Sequence, residues 1–233
     1  HALLKAIVPG TRLVFVGDVD QLPSVGPGRV LSDMIDSGVL NVVRLDQIFR
    51  QAEESSIITN AHLINKGKYP VVNTQNEDFF FINKIHPQDT AEAILELCTS
   101  RIPEKFGLDP MRDIQVLSPM KKGPAGIFYL NAVLQKRLNP PRPDLMEKRY
   151  GDTVFRENDR VMHIKNNYSL SWRNNGESIT AGEGVFNGDM GIIQKIDTEN
   201  GYLTVSYDDG KVVEYDFDML DQLELAYAIT VHK

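Results

Sequence analysis

The sequence predicts a parallel α/β domain interrupted by a small β-barrel-like module, on three observations. Short apolar runs, glycine-containing turns and helix-period segments alternate through the first 138 residues, the repeating unit of a parallel sheet. The cluster Asn139-Pro140-Pro141-Arg142-Pro143 then breaks that pattern, because proline cannot continue a helix, and marks a domain boundary. Beyond it, short strand-like runs alternate with Gly and Asn/Asp turns for about 70 residues before helix-then-strand character returns near Leu223–His232.

In order along the chain, Leu3–Ile7 reads as the end of a helix closed by Pro9-Gly10. Leu13–Val16 reads as a short buried strand. A stiff turn through Pro23, Gly26, Pro27 and Gly28 precedes the helical period Val30, Leu31, Met34, Ile35, stopped by Gly38. Asn41–Leu45 is the next strand. Ser55–Lys66 is a helix with Ile57, Ile58, Ala61 and Ile64 on its apolar side, ended at Asn65-Lys66-Gly67. Phe79–Ile82 is a further strand, and Thr90 caps a helix over Ala91–Leu97. Ile114–Leu117 is a strand leading through Ser118-Pro119-Met120-Lys121-Lys122-Gly123 into a helix over Ile127–Leu138, with Leu130, Val133, Leu134 and Leu138 inward. In the later module, Arg160–Ile164, Gly191–Ile196, Tyr202–Tyr207 and Lys211–Tyr215 are strands, and Asp209-Gly210 is a hairpin signal.

Composition narrows the function classes. The 42% hydrophobic and 24% charged fractions suit a globular protein, and no apolar stretch reaches the roughly 18 residues that span a bilayer. No secretory signal is visible, and His1 is not a natural start. The single cysteine, Cys98, lies among Ala93, Ile94, Leu95 and Leu97, which reads as a buried thiol in a reducing, cytoplasmic setting. The net charge of −7 is uneven: residues 101–149 carry 10 basic and 5 acidic side chains, whereas residues 150–233 carry 7 and 15. The middle segment is therefore the candidate for a phosphate-backbone surface.

The most informative run is Gly17-Asp18-Val19-Asp20-Gln21-Leu22-Pro23-Ser24, directly after Leu13–Val16. It puts a carboxylate and an amide at the C-terminal edge of a strand, where open α/β sheets bind ligands. Gln21 can accept from a water or donate to a phosphate oxygen; the structural alternative is an amide tying down a tight turn. No G-x-x-x-x-G-K-[ST] loop occurs, so the usual phosphate cradle is missing from these residues. Metal chemistry finds no support: the five histidines are scattered, without H-E-x-x-H or Cys–His ligand spacing.

Seven segments, in order, resemble the RecD-like ATP-dependent DNA helicases of superfamily one. They are Gly17–Gly28 and Leu45-Asp46-Gln47-Ile48-Phe49-Arg50-Gln51, then Asn60-Ala61-His62 with Ile64-Asn65-Lys66-Gly67. Ser118-Pro119-Met120 with Leu130-Asn131, and Asn166-Asn167-Tyr168, follow. Phe186-Asn187-Gly188-Asp189-Met190-Gly191 and Ala228-Ile229-Thr230-Val231-His232-Lys233 complete the series. The resemblance implies RecA-like domains of parallel-sheet type with an inserted SH3-like β-barrel. Residues 1–39 would be the tail of a first domain, 40–145 plus 222–233 a second, and 146–221 the insertion. It also implies ATP and Mg²⁺ as cofactors and single-stranded DNA as partner, with 5′-to-3′ stepping and work in recombination or repair beside nuclease or other repair-complex subunits. The phosphate-gripping Lys and the Mg²⁺-orienting Asp-Glu pair would stand before residue 1.

On that resemblance, Gln21 senses the terminal phosphate, with Gly17 and Asp18 supporting it. Arg50 acts as an arginine finger, assisted by Gln51. The DNA track takes in Pro119, Met120, Lys121 and Lys122, then Asn166, Asn167 and Tyr168. Thr230, His232 and Lys233 open the box that links nucleotide state to DNA grip. Lys121 and Lys122 either meet phosphates or form a solvent-facing basic turn. Tyr168 or Trp172 stacks on a base, or Trp172 is buried in the module. The competing reading is a non-catalytic module that binds single-stranded DNA or a protein.

Overall fold

The computed structural model describes residues 2–21, 28–45, 55–72, 78–174 and 180–231. They fall into two compact units, His1–Ile82 and Asn83–Lys233.

Among the described residues, the first unit carries α1 (Ala2–Ala6), α2 (Val30–Asp36) and α3 (Ser56–Asn65). Leu31, Met34 and Ile35 of α2 are half-buried, as their spacing predicts, and Gly38 ends the segment in the left-handed region. The Ser55 side chain caps α3 by accepting from Ile58 N–H, while the Asp78 carboxylate accepts from Ser55 Oγ at 2.6 Å and Ser56 N at 3.2 Å. The face that α3 buries is Ser56 and Asn60 rather than its isoleucines: Ile57 and Ile64 are exposed. The Asn60 amide instead grips the Val71 backbone, donating to its carbonyl at 3.0 Å and accepting from its N–H at 2.7 Å.

The strands expected at Leu13–Val16, Asn41–Leu45 and Phe79–Ile82 are not formed. These segments pair with no other strand among the described residues, and Val16 is 93% and Leu45 98% exposed. Apolar sequence marks a chain suited to a sheet interior, but a strand exists only where a neighbour takes up its backbone N–H and C=O groups.

The second unit opens with α4 (Pro87–Glu96), which runs through a π-helical turn (Leu97–Arg101) into α5 (Ile102–Phe106). The helix starts earlier than the Thr90 cap predicted, because Pro87 fits the first helical position, where its missing N–H costs nothing. Next come β1 (Val116–Ser118) and α6 (Ile127–Leu138), the latter spanning the predicted range. Leu130 and Leu134 of α6 pack with Ala91, Cys98, Tyr227 and Ala228 in one core. The chain returns at its end as β11 (Ala228–Thr230), parallel to β1 with Val116 opposite Ala228 and Ser118 opposite Thr230.

Between β1 and β11 lies the inserted module. It holds a hairpin, β2 (Glu147–Tyr150) with β3 (Thr153–Arg156), and β4 (Arg160–His163), β5 (Asn167–Asn174), β6 (Thr180–Val185), β7 (Met190–Asp197), β8 (Tyr202–Tyr207), β9 (Val212–Asp216) and β10 (Leu223–Leu225). A 3₁₀ helix, Phe217–Gln222, precedes β10 where helical character was expected further on. Alternation sets the faces: Val213 and Tyr215 of β9 are buried while Glu214 and Asp216 point out. Phe155 of β3 and Leu220 of the 3₁₀ helix join Val161, Ile193, Leu203, Val205 and Tyr215 in the module core.

The module is not the closed barrel that the sequence predicts. Among the described residues, seven strands form an open sheet in the order β10-β4-β7-β8-β9-β5-β6, with β10 and β6 at its edges. Closure requires the first and last strands to bond. Here β10 holds β4 through three residue pairs and then leaves to become β11. At the other end, β5 meets β9 at Arg173–Val212 alone, so the β5–β6 hairpin extends the sheet outward. No described helix is long and apolar enough to cross a membrane.

Candidate functional site

In the first unit, Asp18 organises the segment after Leu13–Val16. Its carboxylate accepts from Asp20 N–H at 2.9 Å and from the Gln21 amide at 3.4 Å, in an exposed turn. Gly17 lies so close to α2 that an added Cβ would sit 2.7 Å from Leu31 Cδ2. The turn thus presents the Gln21 amide on an exposed backbone held by Asp18. An exposed amide of this kind suits a water or a phosphate oxygen. Mg²⁺ finds no ligand set here: no group of three metal-ligating side chains exists among the described residues, and Asp18 is engaged by its own turn. Arg50 and Gln51 lie outside the described residues, as do His232 and Lys233.

In the second unit, the β1–β11 pair brings Pro119, Met120, Lys121, Lys122 and Thr230 to one strand edge, the C-terminal edge of a parallel pair. Ser118 builds the loop: its hydroxyl donates to Ala125 C=O at 2.7 Å and accepts from Met120 N–H at 3.2 Å. Gly126 is required where the loop meets α6, since a Cβ there would lie 2.5 Å from the Lys122 carbonyl oxygen. Met120 and Lys121 carbonyls accept from Ile127 and Phe128 N–H at 3.0 and 3.2 Å. The first two donors of α6 are thereby used, so side chains are the main groups left to meet an anion at this edge. Lys121 and Lys122 are exposed and form no ion pair among the described residues. Phe128 and Tyr129, about half exposed, stand beside them. Their signal in the sequence was two aromatics directly after a basic glycine turn, which read as part of an amphipathic helix.

Asn166, Asn167 and Tyr168 form a second cluster. Asn166 Oδ1 accepts from Asn187 N–H at 3.0 Å, and Asn167 donates to Gln222 Oε1 at 3.0 Å. Both amides are thus engaged in holding turns; Asn166 and Tyr168 are exposed, the tyrosine at 72%. Its ring meets Phe186 edge-on, with centroids 5.5 Å apart. Phe186 is fixed by Asp189, whose carboxylate accepts from Phe186 N–H at 2.9 Å, and Gly188 N–H donates to the His163 carbonyl at 2.8 Å. Sequence reasoning quoted the 186–191 segment but missed Phe186 as a candidate contact. Trp172 is half-buried over Gly182, its cross-strand partner, where a Cβ would meet its ring at 2.6 Å, so it belongs to the packing of the module. Charge differs between the clusters. Around Phe186 the ammonium of Lys211 is paired with Asp209 at 2.8 Å and lies 4.0 Å from Asp189, so this edge offers stacking rather than net positive charge.

Beneath Asp189 a buried chain runs from Tyr207 Oη to Tyr215 Oη at 2.5 Å and on to His163 Nδ1 at 2.9 Å. His163 Nε2 has no partner among the described residues. Burial holds His163 below its ordinary value, partly opposed by the Asp189 charge. Burial also raises both tyrosines.

Two family models match the chain. One, described as an AAA domain, covers residues 1–83, and the other, described as the ATP-dependent RecD-like DNA helicase SH3 domain, covers residues 130–207. The chain is 33% identical over 232 residues to the ATP-dependent RecD2 DNA helicase of Deinococcus radiodurans, covering all of this chain and 28% of that protein. It is 26% identical over 242 residues to the RecBCD enzyme subunit RecD of Mycolicibacterium smegmatis, covering 99% of the chain and 39% of that protein. Among solved structures, a Pif1 helicase from Bacteroides in complex with ADP-AlF3 and single-stranded DNA aligns at 19% identity and a TM-score of 0.45, over 93% of this chain and 52% of that one. The chain thus spans between about a quarter and two fifths of the curated relatives it matches. A P-loop-type ATPase domain followed by a RecD-like SH3 domain is the order seen, which broadly matches helicases of superfamily one.

Proposed function

We propose that this chain works as part of a RecD-type, ATP-dependent DNA helicase that couples hydrolysis to 5′-to-3′ movement on single-stranded DNA. The observation that carries the reading is the parallel β1–β11 edge, which gathers Lys121, Lys122 and Thr230 from segments more than a hundred residues apart. Residues 1–39 would be the tail of one motor domain, 40–145 with 222–233 a second, and 146–221 the inserted module. Gln21 would read the terminal phosphate of ATP, with Gly17 and Asp18 bracing it, and Arg50 with Gln51 would neutralise charge on the transferred group. When bound, ATP with its Mg²⁺ supplies the free energy of stepping; this chain's own part is to sense it.

The strand would run along the Pro119–Lys122 loop, with ammonium groups on phosphates and no base readout, and stack on Tyr168. His232 and Lys233 would extend the edge that Thr230 begins. Relatives named as RecBCD enzyme subunits support partner subunits for this chain; as part of the same proposal, these would include nucleases and the work would be in recombination or repair.

Fluorescence anisotropy with single- and double-stranded oligonucleotides, repeated across salt, tests the DNA half of this reading. Tighter single-strand binding that weakens as salt rises supports it. Equal affinity for both forms, or salt-independent binding, overturns it. Binding without any nucleotide response in a helicase-length protein containing this chain would favour a non-catalytic binding module.

A further inference from the structure

One face of α6 carries a stripe of buried amides that apolar periodicity does not explain. Asn131, Gln135 and Asn139 are spaced four residues apart, so they share one side of the helix and its C-cap. All three are less than a tenth exposed. Asn131 donates to the Leu225 and Ala228 carbonyls at 2.9 and 3.0 Å and accepts from Ala228 N–H at 2.8 Å. Gln135 donates to the Val154 carbonyl at 2.8 Å and to Asp159 Oδ2 at 2.6 Å. Asn139 donates to the Glu157 carbonyl at 2.9 Å and to Asp159 Oδ1 at 2.8 Å.

Asp159 closes the set. It is fully buried and also accepts from Arg156 N–H at 2.7 Å and Tyr227 Oη at 2.8 Å. The Arg156 guanidinium reaches back to the Asn139 carbonyl and to Glu147, and the Arg160 guanidinium donates to the Met111 carbonyl at 2.9 Å. The amide and Tyr227 bonds tie α6 to the two stretches where the chain enters and leaves the inserted sheet, 154–160 and 225–228. Apolar surfaces slide, but a bond made at fixed spacing to a backbone group does not, and a broken one leaves a buried group unsatisfied.

We propose that Asn131, Gln135, Asn139 and Asp159 are positioning residues that lock the inserted sheet to α6 in a single register. The Lys121–Lys122 loop, which opens α6, and the Tyr168–Phe186 edge then form one site of fixed length. The consequence for DNA rests on the function proposed above; the locking itself does not. A module free to swing would engage its aromatic edge and the basic loop independently, and a strand bound to one would gain little from the other.

Spin labels at Lys136→Cys, on the exposed side of α6, and Glu199→Cys, in the turn between β7 and β8, report the register as a distance distribution. Cys98 is buried and stays unlabelled. The otherwise unaltered chain is expected to give one narrow peak. Gln135→Met with Asn139→Ala is expected to broaden or split it, and Tyr227→Phe, which removes one hydroxyl from Asp159, to broaden it less. In parallel, affinity for a single-stranded oligonucleotide long enough to reach both clusters is expected to fall in the double variant while the salt slope stays as it was, since both clusters are chemically unchanged. A broad distribution in the unaltered chain, or a narrow one in a folded double variant, overturns the proposal. If the double variant does not fold, the distribution for Tyr227→Phe decides: unchanged width rejects locking. If the chain binds no DNA, the functional reading fails while the distances still decide the lock.

Discussion

Tyr168 and the Lys121–Lys122 pair would hold a strand by different physics, and their substitutions separate the two. Stacking on an exposed ring is worth about 1–3 kcal/mol and does not involve counterions. Tyr168→Ala is therefore expected to weaken single-strand binding by roughly fivefold to 150-fold with an unchanged salt slope. Replacing both lysines by alanine should instead flatten the slope, by about 0.7 for each phosphate no longer neutralised. Anisotropy titrations at several salt concentrations read both numbers. His163 adds a pH dependence of stability. Its ordinary value is 6.5, and burial lowers it in the fold. The contribution is fully present above about 6.5; as pH falls below that value the unfolded chain takes up a proton that the folded one refuses, so stability drops until the lowered folded value is passed. Asp159 runs the other way: burial raises it above 3.8, so its contribution favours the fold as pH falls through that raised value. Melting temperatures between pH 8 and 5 should decline, and His163→Phe should reduce the decline.

At the scale of elements, the module depends on close backbone approach as much as on apolar burial. Gly191 of β7 lies where a Cβ would be 2.4 Å from the Ser206 carbonyl oxygen of β8, in the centre of the seven-stranded sheet. Backbone cannot yield as a flexible side chain does, so Gly191→Ala is expected to cost about 2 kcal/mol, measured by denaturant unfolding. The 186–189 turn is a second such device. Its hydrogen bonds to His163 and Asn166 join two distant segments and set Phe186 against Tyr168. The π-helical turn between α4 and α5 has Cys98 buried against the α6 core, where burial pushes the thiol up and keeps it unreactive.

For the molecule as a whole, charge and missing chemistry set what it can do unaided. The net charge of −7 leaves residues 101–149 as the basic stretch, so attraction for nucleic acid is local to the loop and to α6. No phosphate-cradling loop occurs in the 233 residues, so the isolated chain is expected to hydrolyse ATP no faster than background, with or without DNA. A coupled-enzyme assay showing robust DNA-stimulated turnover by this chain alone would reject that expectation.

Local pattern alone placed α2, α3 and α6, the Asp209-Gly210 hairpin and the strands β4, β7, β8 and β9, because each is set by periodicity or by turn chemistry within a few residues. The resemblance of the motifs, rather than local pattern, singled out Tyr168 and the lysine loop as residues worth testing. Tertiary structure decided the rest. Whether the sheet closes depends on which strand β10 and β6 find beside them, and whether Leu13–Val16 is a strand depends on a partner; neither is written in the segment itself. Phe186 beside Tyr168, Thr230 beside Ser118, and the amides of α6 around Asp159 are pairings across 18 to more than a hundred residues. Pairings of that range arise only when packing has closed the loops between them, since chain entropy opposes them until burial and hydrogen bonding together outweigh it.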